Sequence, residues 1–525
     1  MKLRITDSRT ESSSFAYLLI VAFISIAYLV VVAQDLEALP ISIQKSFIQQ
    51  QMKNTNGGAF LPVGIKASVQ QRALNYMAQQ LMPLIQKQLN APIAVPDVQG
   101  EVETPIGHVT YQLSSITLSR LGLSTPSIQV NPQGLGVTIS SATAHMNCNW
   151  HYRENSWPHI SDSGSADADI TIAITFNVQV VIQDSTHFNI VLSGFNARFT
   201  NFNLSLHGGA SWLYNIFLNN FKNSIEQAAQ NAINTQVASA VNNVLSNTLS
   251  TLNLQIPILS YGVLFDSTLQ IVSYTPSTYM TIGTAGRCFI KGQQPYPGQP
   301  SYMPNSLGND VMIEMFVSDY TLNSAGFAFT QAGIFNYLLT QHTLPSAISW
   351  MFNTTNLQFF IPALYNKYPN RELQVDFIVP TAPVFTISPK GVEVSLIAQA
   401  IFQVILPTGP VNAFALNLNA LLDWEVQIVA NNLTGSLQYK SANVTLAYST
   451  IGNLDVSLIS SIVNLLFQYG IVPIGNILAQ RGFPLPTVEG LTLQNPTVSY
   501  QTGFIAVRSN FVFVPPSSSS VSKQQ

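Results

Sequence analysis

The chain contains the stretch Ile128-Gln-Val-Asn-Pro-Gln-Gly134-Leu-Gly-Val-Thr-Ile139, which recurs as Phe385-Thr-Ile-Ser-Pro-Lys-Gly391-Val-Glu-Val-Ser-Leu396. Each copy reads as two alternating strands around a Pro-x-Gly turn. Proline fixes one turn dihedral, and glycine supplies the positive φ that such a turn needs. Because a helix-rich segment follows each copy, we expect a duplicated domain rather than a short-period solenoid.

The composition is polar but hardly ionic. Of the 525 residues, 47% are hydrophobic, which is ordinary, but only 9% are charged, against roughly 25% in a typical globular protein. The net charge is −3 and no long run of Lys or Arg occurs, so we expect no nucleic-acid surface. The mean hydropathy is +0.24, which suggests that part of the apolar surface faces a bound lipid.

The N-terminal region carries an apolar run from Phe15 to Ala33. Small residues at its end fit a secretory cleavage site. Its length fits a membrane anchor, since about 20 residues span a bilayer. A cleaved signal peptide and an uncleaved signal anchor both remain open, and either directs the rest of the chain into the secretory lumen.

Sequons and cysteines agree with that compartment. The acceptor sequons begin at Asn203, Asn353, Asn432 and Asn443 and predict N-glycosylation. In an oxidising lumen Cys148 and Cys288 form a candidate disulfide, although two free thiols fit the sequence nearly as well.

Composition and periodicity divide the chain into six segments. They are a signal peptide or anchor (1–34), a connector (35–60), a first domain (61–288), a Pro/Gly linker (289–309), a second domain (310–514) and a disordered tail (515–525). In each domain we expect a strongly curved antiparallel sheet with a long and a shorter amphipathic helix. A helical pattern begins at Gly64, and long helices are predicted at about 212–249 and 457–480.

Several short motifs follow one another in a characteristic order. The first half carries Gly64-Ile-Lys-Ala, Leu74-Asn-Tyr-Met-Ala-Gln-Gln and Ile93-Ala-Val-Pro-Asp97. The second half carries Ser318-Asp-Tyr, Asn323-Ser-Ala-Gly326, Gln331-Ala-Gly333, Lys367-Tyr-Pro-Asn370 and Arg481-Gly-Phe-Pro-Leu-Pro486. In these motifs the chain resembles the bactericidal/permeability-increasing protein and lipopolysaccharide-binding protein family of tubular lipid-binding proteins. The resemblance implies an elongated α+β boomerang of two barrels joined by a central sheet, with phospholipid in an apolar pocket of each barrel.

Apolar residues are predicted to line these two pockets. The first pocket takes Met77, Leu81, Ile85, Trp212, Ile216 and Ile225, and the second takes Leu338, Leu458, Ile462 and Leu465. The alternative is that these side chains only pack helix against sheet. Bound phospholipid is expected, but no other cofactor and no metal. His145, Cys148 and His151 have metal-like spacing, yet on a strand Cys148 points away from both histidines.

The tip of the first barrel is predicted to contact membranes through Trp150, His151, Tyr152, Arg153 and Trp157. Its aromatic rings favour a membrane interface, and its histidines become cationic in acidic compartments. The antibacterial proteins that the chain resembles have a strongly basic tip, whereas here Arg153 is the one permanent cation and Glu154 follows it. The alternative is a hairpin packed by its own aromatic rings.

Catalytic patterns are missing from the sequence: no G-x-S-x-G elbow, H-E-x-x-H, Walker loop or C-x-x-C occurs. We therefore expect a secreted, monomeric, non-catalytic lipid-binding protein. The resemblance implies binding of bacterial lipopolysaccharide in innate defence. The near-neutral tip favours carriage of phospholipid between membranes instead, and a lipid hydrolase is a distant alternative.

Overall fold

Strands make up most of this computed structural model, which describes residues 62–88, 92–104, 107–182, 188–208, 227, 231, 254–258, 262–485 and 491–513. The strands of the first half are β1 Ile65–Gln70, β2 Ile93–Val95, β3 Val98–Thr104, β4 Gly107–Leu123, β5 Ser127–Asn131, β6 Gly134–Glu154, β7 Ser161–Ile182, β8 Phe188–His207, β9 Gln255–Ile258, β10 Val263–Asp266, β11 Leu269–Thr275, β12 Tyr279–Thr284 and β13 Arg287–Ile290. Those of the second half are β14 Ile313–Ser318, β15 Tyr337–Thr340, β16 Leu373–Ile378, β17 Val384–Ser388, β18 Gly391–Leu406, β19 Gly409–Val429, β20 Asn432–Ser449, β21 Phe483–Pro484, β22 Leu491–Gln501 and β23 Phe504–Phe513.

Helices are fewer. They are α1 Gln71–Gln88, α2 Asp319–Gln331, α3 Ser346–Ser349, α4 Pro362–Lys367, α5 Val456–Leu466 and α6 Val472–Arg481. A 3-10 turn, Trp350–Phe352, follows α3, and a π turn, Phe467–Ile471, joins α5 to α6. The helix predicted over 457–480 is confirmed. The one predicted over 212–249 lies outside the described residues except at Gln227 and Asn231, which are helical.

Two long-stranded antiparallel sheets form the halves. Their orders are β2-β4-β6-β7-β8, with β3 on β4 and β5 on β6, and β15-β16-β18-β19-β20-β21, with β17 on β18. Side chains of β6 alternate between buried and exposed from Met146 to Glu154, so each sheet buries one face. Over the described part of the chain both sheets are open paths rather than closed barrels.

The repeated stretches form matching hairpins. Asn131 pairs with Gly134 across the first turn, and Ser388 pairs with Gly391 across the second. Gly134 has φ 137° and Gly391 has φ 133°. The predicted positive φ is confirmed in both copies, because only glycine adopts it without steric cost.

An asparagine at the fifth position of a helix holds each hairpin. The Asn75 carboxamide oxygen of α1 accepts from the backbone N–H of Ile128 at 3.0 Å. The Asn323 oxygen of α2 accepts from the N–H of Phe385 at 2.8 Å. Ile128 and Phe385 begin the two repeated stretches, so the duplication includes the helix as well as the hairpin.

A central sheet, ordered β11-β12-β1-β14-β23-β22, joins the halves. Its two middle strands are antiparallel, and a hairpin flanks them on each side. The hydroxyl of Tyr274 on β11 accepts from Val180 N at 3.0 Å, and that of Tyr500 on β22 accepts from Val426 N at 3.3 Å. Going outward from the β1–β14 pair, each half therefore contributes the same arrangement of strands, as expected for a duplicated domain.

One sequence expectation is corrected here. The helical pattern that begins at Gly64 is wrong for residues 65–70, which form β1. This strand lies between β12 and β14 and is buried at every position except Lys66. Its apolar residues continue the spacing of α1 because both elements face the same core.

The Pro/Gly linker, residues 289–309, packs on the central sheet as a strap. The Lys66 ammonium donates to Met303 O at 2.7 Å, and burial lowers the pKa of Lys66. The fully buried Glu314 accepts from Leu307 N and from Arg508 Nε. The strap thus covers the polar face of the central sheet. The predicted signal or anchor, connector and tail lie outside the described residues.

Candidate functional site

The helical segment of the second half carries no charge. From Val456 to Gln480 the sequence has no Asp, Glu, Lys or Arg. Asp455 caps α5, because its carboxylate accepts hydrogen bonds from the Ser457 hydroxyl and, at 2.9 Å, from the Ser457 backbone N–H. These two bonds lower the pKa of the Asp455 carboxyl. Among the described residues, Val456–Ile477 is the one helical stretch long and apolar enough to cross a bilayer. A core helix of a soluble domain has the same features, so length and composition alone do not make it a span.

One face of this segment packs against the second sheet at β20. The buried positions follow helical spacing: Ile459, Ile462, Val463, Leu466, Phe467 and Gly470. Phe467 stacks on Tyr439 with ring centroids 5.7 Å apart, and the Tyr439 hydroxyl bonds Asn464. Asn476 Nδ2 donates to Leu437 O at 3.2 Å. Hydrogen bonds therefore fix the helix to β20.

The same buried face borders an apolar cleft of about 10 Å³, which is room for about one water molecule. The cleft is lined by Met351, Phe352, Leu373, Val375, Phe402, Ile462 and Leu466. All seven side chains are buried and apolar. The lining is closely packed, so a hydrocarbon chain enters only if these side chains separate, and the lining contains no charged group.

Of the residues predicted for the second pocket, only Ile462 lines this cleft. Leu338, Leu458 and Leu465 are 52%, 46% and 38% exposed, so they do not line this cleft, and their role as lipid contacts stays a prediction. Leu458 and Leu465 lie on the outward face of α5, and Leu338 lies opposite Asp376 on the outer face of the sheet. In β16, apolar Leu373 and Val375 alternate with polar residues, and this pattern could have identified them as lining residues. Met351 and Phe352 belong to a short 3-10 turn, which has no periodicity from which to predict burial.

The first pocket is described only in part. Met77 of α1 is fully buried in the core of the first half. Leu81 and Ile85 lie on the same helix, but their side chains are outside the described part of the structure. Trp212, Ile216 and Ile225 are also outside the described residues. Their role as lipid contacts therefore stays a prediction.

The tip of the first half is the connection between β6 and β7. Trp150 is 6% exposed, donates Nε1 to Ser165 O at 3.0 Å and stacks on the buried Tyr152. Their assignment as membrane contacts is wrong, because strand alternation turns both rings inward. His151 and Arg153 point outward on the same strand. Trp157 in the loop is 87% exposed.

The tip has no cationic cluster within the described residues. Glu154 is turned inward and only 3% exposed, so it does not offset Arg153 at the surface. Glu101 lies on the same ladder rung as Arg153, with Thr110 between them, and is exposed. Glu103 is exposed two residues further along β3. The outward surface beside Arg153 is therefore not basic.

The two cysteines are free and buried, so the candidate disulfide is not formed. Cys148 belongs to β6, whereas Cys288 belongs to β13 in a separate small sheet with β9 and β10. Burial raises the pKa of Cys148 to about 11 and also raises that of Cys288. Cys148 points away from His151, as strand periodicity predicts. Over the described residues no cluster of His, Cys, Asp or Glu could hold a metal.

The four sequons fall into two groups. Asn203 on β8 and Asn443 on β20 are exposed. Asn353, after the 3-10 turn, and Asn432, at the start of β20, are partly buried.

Comparison with known families covers both halves. The N-terminal domain of the LBP / BPI / CETP family matches residues 73–248, and the C-terminal domain of the same family matches residues 286–513. These two ranges span most of the chain. The chain therefore belongs to the LBP / BPI / CETP family.

Individual relatives extend over nearly the whole chain. The bactericidal permeability-increasing protein of Sebastes schlegelii is 28% identical and covers 86% of this chain and 95% of its own length. The lipopolysaccharide-binding protein of Mus musculus is 24% identical, with 86% and 94% covered. A putative BPI/LBP family protein of Arabidopsis thaliana is 25% identical, with 81% and 88% covered.

The crystal structure of a lipopolysaccharide binding protein shares the fold. It has a TM-score of 0.54 and 23% identity, and the match covers 87% of this chain and 100% of that one. The predicted α+β fold, with two repeated halves joined by a central sheet, is confirmed.

Proposed function

We propose that this chain is a non-catalytic protein that binds amphipathic lipid and buries an acyl chain in the cleft beside α5 and α6. The lining carries the proposal: seven apolar side chains meet under a helix without a single charge. Membership in the LBP / BPI / CETP family supports the same class.

The energetics favour a chain inside the cleft. Each buried methylene contributes about 0.8 kcal/mol, so the gain grows with the length that enters. The cleft of about 10 Å³ is far smaller than the roughly 300–1,000 Å³ of usual ligand pockets. A complete acyl chain therefore requires the cleft to widen.

The helix has a place where it can yield. The π turn Phe467–Ile471 interrupts it beside the cleft, and such turns inside helices often occur at functional sites. Gly470 packs so closely that a Cβ there would lie 3.1 Å from Leu344 Cδ2 and 3.3 Å from Ile348 Cδ1. These contacts are apolar and separate without loss of hydrogen bonds, whereas the β20 side is held by Asn464 and Asn476. We therefore expect the cleft to widen where the helix leaves Leu344 and Ile348, on the side of α3.

Bacterial lipopolysaccharide is the ligand that the names of relatives suggest. Carriage of phospholipid between membranes is the second candidate, and the charge of the tip favours it. A phosphorylated lipid A head group attracts clustered cations, but Arg153 shares its surface with Glu101 and Glu103.

Contact with a membrane is assigned to Trp157. Its ring is 87% exposed, and the nearby Ile160 is 44% exposed. Exposed aromatic rings favour the membrane interface. The apolar run before residue 34 supports a location in the secretory lumen or outside the cell, as a cleaved or anchored form. We propose that the protein acts there as a monomer. Replacing Trp157 by Ala should reduce liposome co-sedimentation, and unchanged binding would remove this residue from the proposal.

Blocking the cleft tests the proposal directly. Val375→Phe places a larger ring in the cleft, and Ile378→Phe places the same ring on the opposite face of β16. Fluorescent phospholipid binding and native mass spectrometry should show loss of lipid in Val375→Phe and retention in Ile378→Phe. Thermal unfolding of both variants checks that overpacking, which costs about 1–3 kcal/mol, has not unfolded the protein. Equal lipid binding by folded Val375→Phe would overturn the proposal.

Salt separates the two candidate ligands. Contact with a charged lipid A head group should weaken as ionic strength rises, whereas acyl burial should not. Binding of lipopolysaccharide and of phosphatidylcholine is therefore measured from low to high salt. A salt-insensitive preference for phosphatidylcholine supports the carrier, and salt-sensitive lipopolysaccharide binding supports recognition.

A further inference from the structure

The four sequons differ in what surrounds the asparagine in the folded chain. A glycan is bulky and belongs on the surface, so the fold accommodates it only where the side chain faces solvent. We infer that N-glycans occupy Asn203 and Asn443 but not Asn353 or Asn432. This inference rests on the lumenal placement proposed above, and not on lipid binding.

Asn203 and Asn443 stand on the outer faces of the two long sheets. Asn203 pairs with Asp169 across the ladder of β7 and β8. The Nδ1 atom of His145 lies 2.9 Å from Oδ1 of Asp169, and this rung faces solvent. Asn443 pairs with Asn419, and both are exposed. Thr445, the hydroxyl residue of the second sequon, is exposed as well. A glycan at either asparagine points away from the core and from the cleft.

Asn353 is engaged by its own turn. Its carboxamide oxygen accepts from Thr355 N at 2.9 Å, and the Thr355 hydroxyl donates to Asn370 at 2.8 Å. The residue between them, Thr354, is fully buried and accepts from Arg371 N. The whole sequon is thus fixed against residues 370–372.

Asn432 lies between two strands. It pairs with Val429 on β19 and with Pro484 on β21. The hydroxyl of Thr434 is directed inward and donates to Gln427 O at 3.3 Å, and Thr434 is 7% exposed. Asn432 itself is partly buried, and the hydroxyl residue of its sequon faces the core, so this sequon offers little room for a sugar chain.

The glycan at Asn443 also has an apolar surface to cover. Ile397 is 50% exposed and lies on the same rung, with Asn419 between. Neighbouring strands are about 4.8 Å apart, so Ile397 is about 10 Å from Asn443, within reach of the first sugars. Gln399 and Asn417 beside it are neutral and bond each other at 3.1 Å. The glycan therefore shields a half-exposed aliphatic side chain whose nearest neighbours on this face are neutral and polar.

The test uses the full chain expressed in secretory cells and treated with an endoglycosidase. Asn203→Gln and Asn443→Gln should each remove one glycan, and the double variant should remove the whole mobility shift. Asn353→Gln and Asn432→Gln should migrate as the unaltered chain. A shift that persists in the double variant, or that is reduced in either control, would overturn the assignment.

Protease protection in isolated microsomes measures lumenal entry without reference to sugars. A protected chain that lacks glycans refutes this inference but leaves the lumenal placement standing. An unprotected chain refutes both. Neither result bears on the lipid-binding assay with Val375→Phe.

The covering role has its own readout. Asn443→Gln should increase aggregation of the secreted protein, and adding Ile397→Thr should restore solubility. Asn203→Gln should not aggregate, because its rung carries Asp169 and His145. Equal solubility of Asn443→Gln and the unaltered chain would show that the glycan does not shield Ile397.

Discussion

The two long hairpins begin alike and end differently. Both β6 and β18 start with a glycine at positive φ, and an asparagine from a helix binds the strand before each turn. From there β6 runs 21 residues to Glu154, whereas β18 runs 16 residues to Leu406. The longer strand ends in a loop that exposes Trp157, and the shorter one ends in the tight turn Pro407-Thr408.

This difference separates attachment from function. The shared contacts lie where each half joins the central sheet, and they include the tyrosines that bind Val180 and Val426. The distal ends bear the features that differ between halves, such as the exposed aromatic tip. The duplicated core therefore fixes the position of each half, and the distal ends are free to vary.

The turn glycines should show the largest difference between halves. A Cβ on Gly134 would lie 2.3 Å from the carbonyl oxygen of Val178, whereas one on Gly391 would meet nothing within 4 Å. Gly391→Ala should cost about 1–3 kcal/mol for the positive φ alone, and Gly134→Ala should cost more because a steric clash adds to the same backbone strain. Hydrogen exchange of each hairpin measures the loss locally. Equal losses would mean that the strands shift to absorb the clash.

The asparagines of α1 and α2 should give the second-largest difference in stability between the halves. Asn323 binds both the N–H and the C=O of Phe385, so Asn323→Ala leaves two backbone groups unpaired. We expect a loss of about 2–3 kcal/mol. Asn75→Ala should cost about 1 kcal/mol, because Gln71 also binds the backbone of Ile128 and Val130. Hydrogen exchange at Ile128 and Phe385 tests this. A larger loss in the first half would contradict it, and Gln71→Ala in the Asn75→Ala background should remove the difference.

The tyrosines give a smaller effect that depends on pH. Tyr274→Phe and Tyr500→Phe should each cost about 1 kcal/mol near neutral pH. Burial raises the pKa of Tyr274, although its bond with Val180 opposes this. The folded state therefore favours the neutral phenol, and this stabilisation is complete below about pH 10 and is lost as the pH rises above it. Denaturant unfolding from pH 8 to 11 should show a shallower alkaline decline in Tyr274→Phe. An unchanged decline would place its cause elsewhere.

The two cysteines, one in each of two sheets, should differ in how readily their thiols are alkylated. At pH 8 neither thiol should react with iodoacetamide in the folded protein, because burial keeps both protonated. As the pH rises, Cys148 should react before Cys288, which is more deeply buried. Mass spectrometry counts the labels, and denatured protein with both thiols labelled is the control. A disulfide-linked peptide from unreduced protein would contradict the free thiols.

Prediction succeeded where the signal was local. Pro132-x-Gly134 and its repeat identified both hairpins because a turn is encoded in a few consecutive residues. Helical spacing identified the segment that contains Ile462. The same reasoning failed for 65–70. Apolar and polar residues alternate there as in a strand, but the four-residue spacing of Val69, Ala73 and Met77 extended the helical pattern too far toward the N-terminus. It also failed for Trp150, whose aromatic character says nothing about which face of a strand it occupies.

The sequence by itself determined the duplicated α+β plan, the charge-free helix and the family, because these depend on periodicity, composition and the order of motifs. Only the tertiary structure decided which side chains meet at the cleft. Met351, Val375, Phe402 and Ile462 come from four separate elements, and their distances in sequence carry no information about their contact. Tertiary packing also decided that Leu458 faces outward and Ile462 inward. Both are apolar and on one helix, so the position of the sheet alone selects between them.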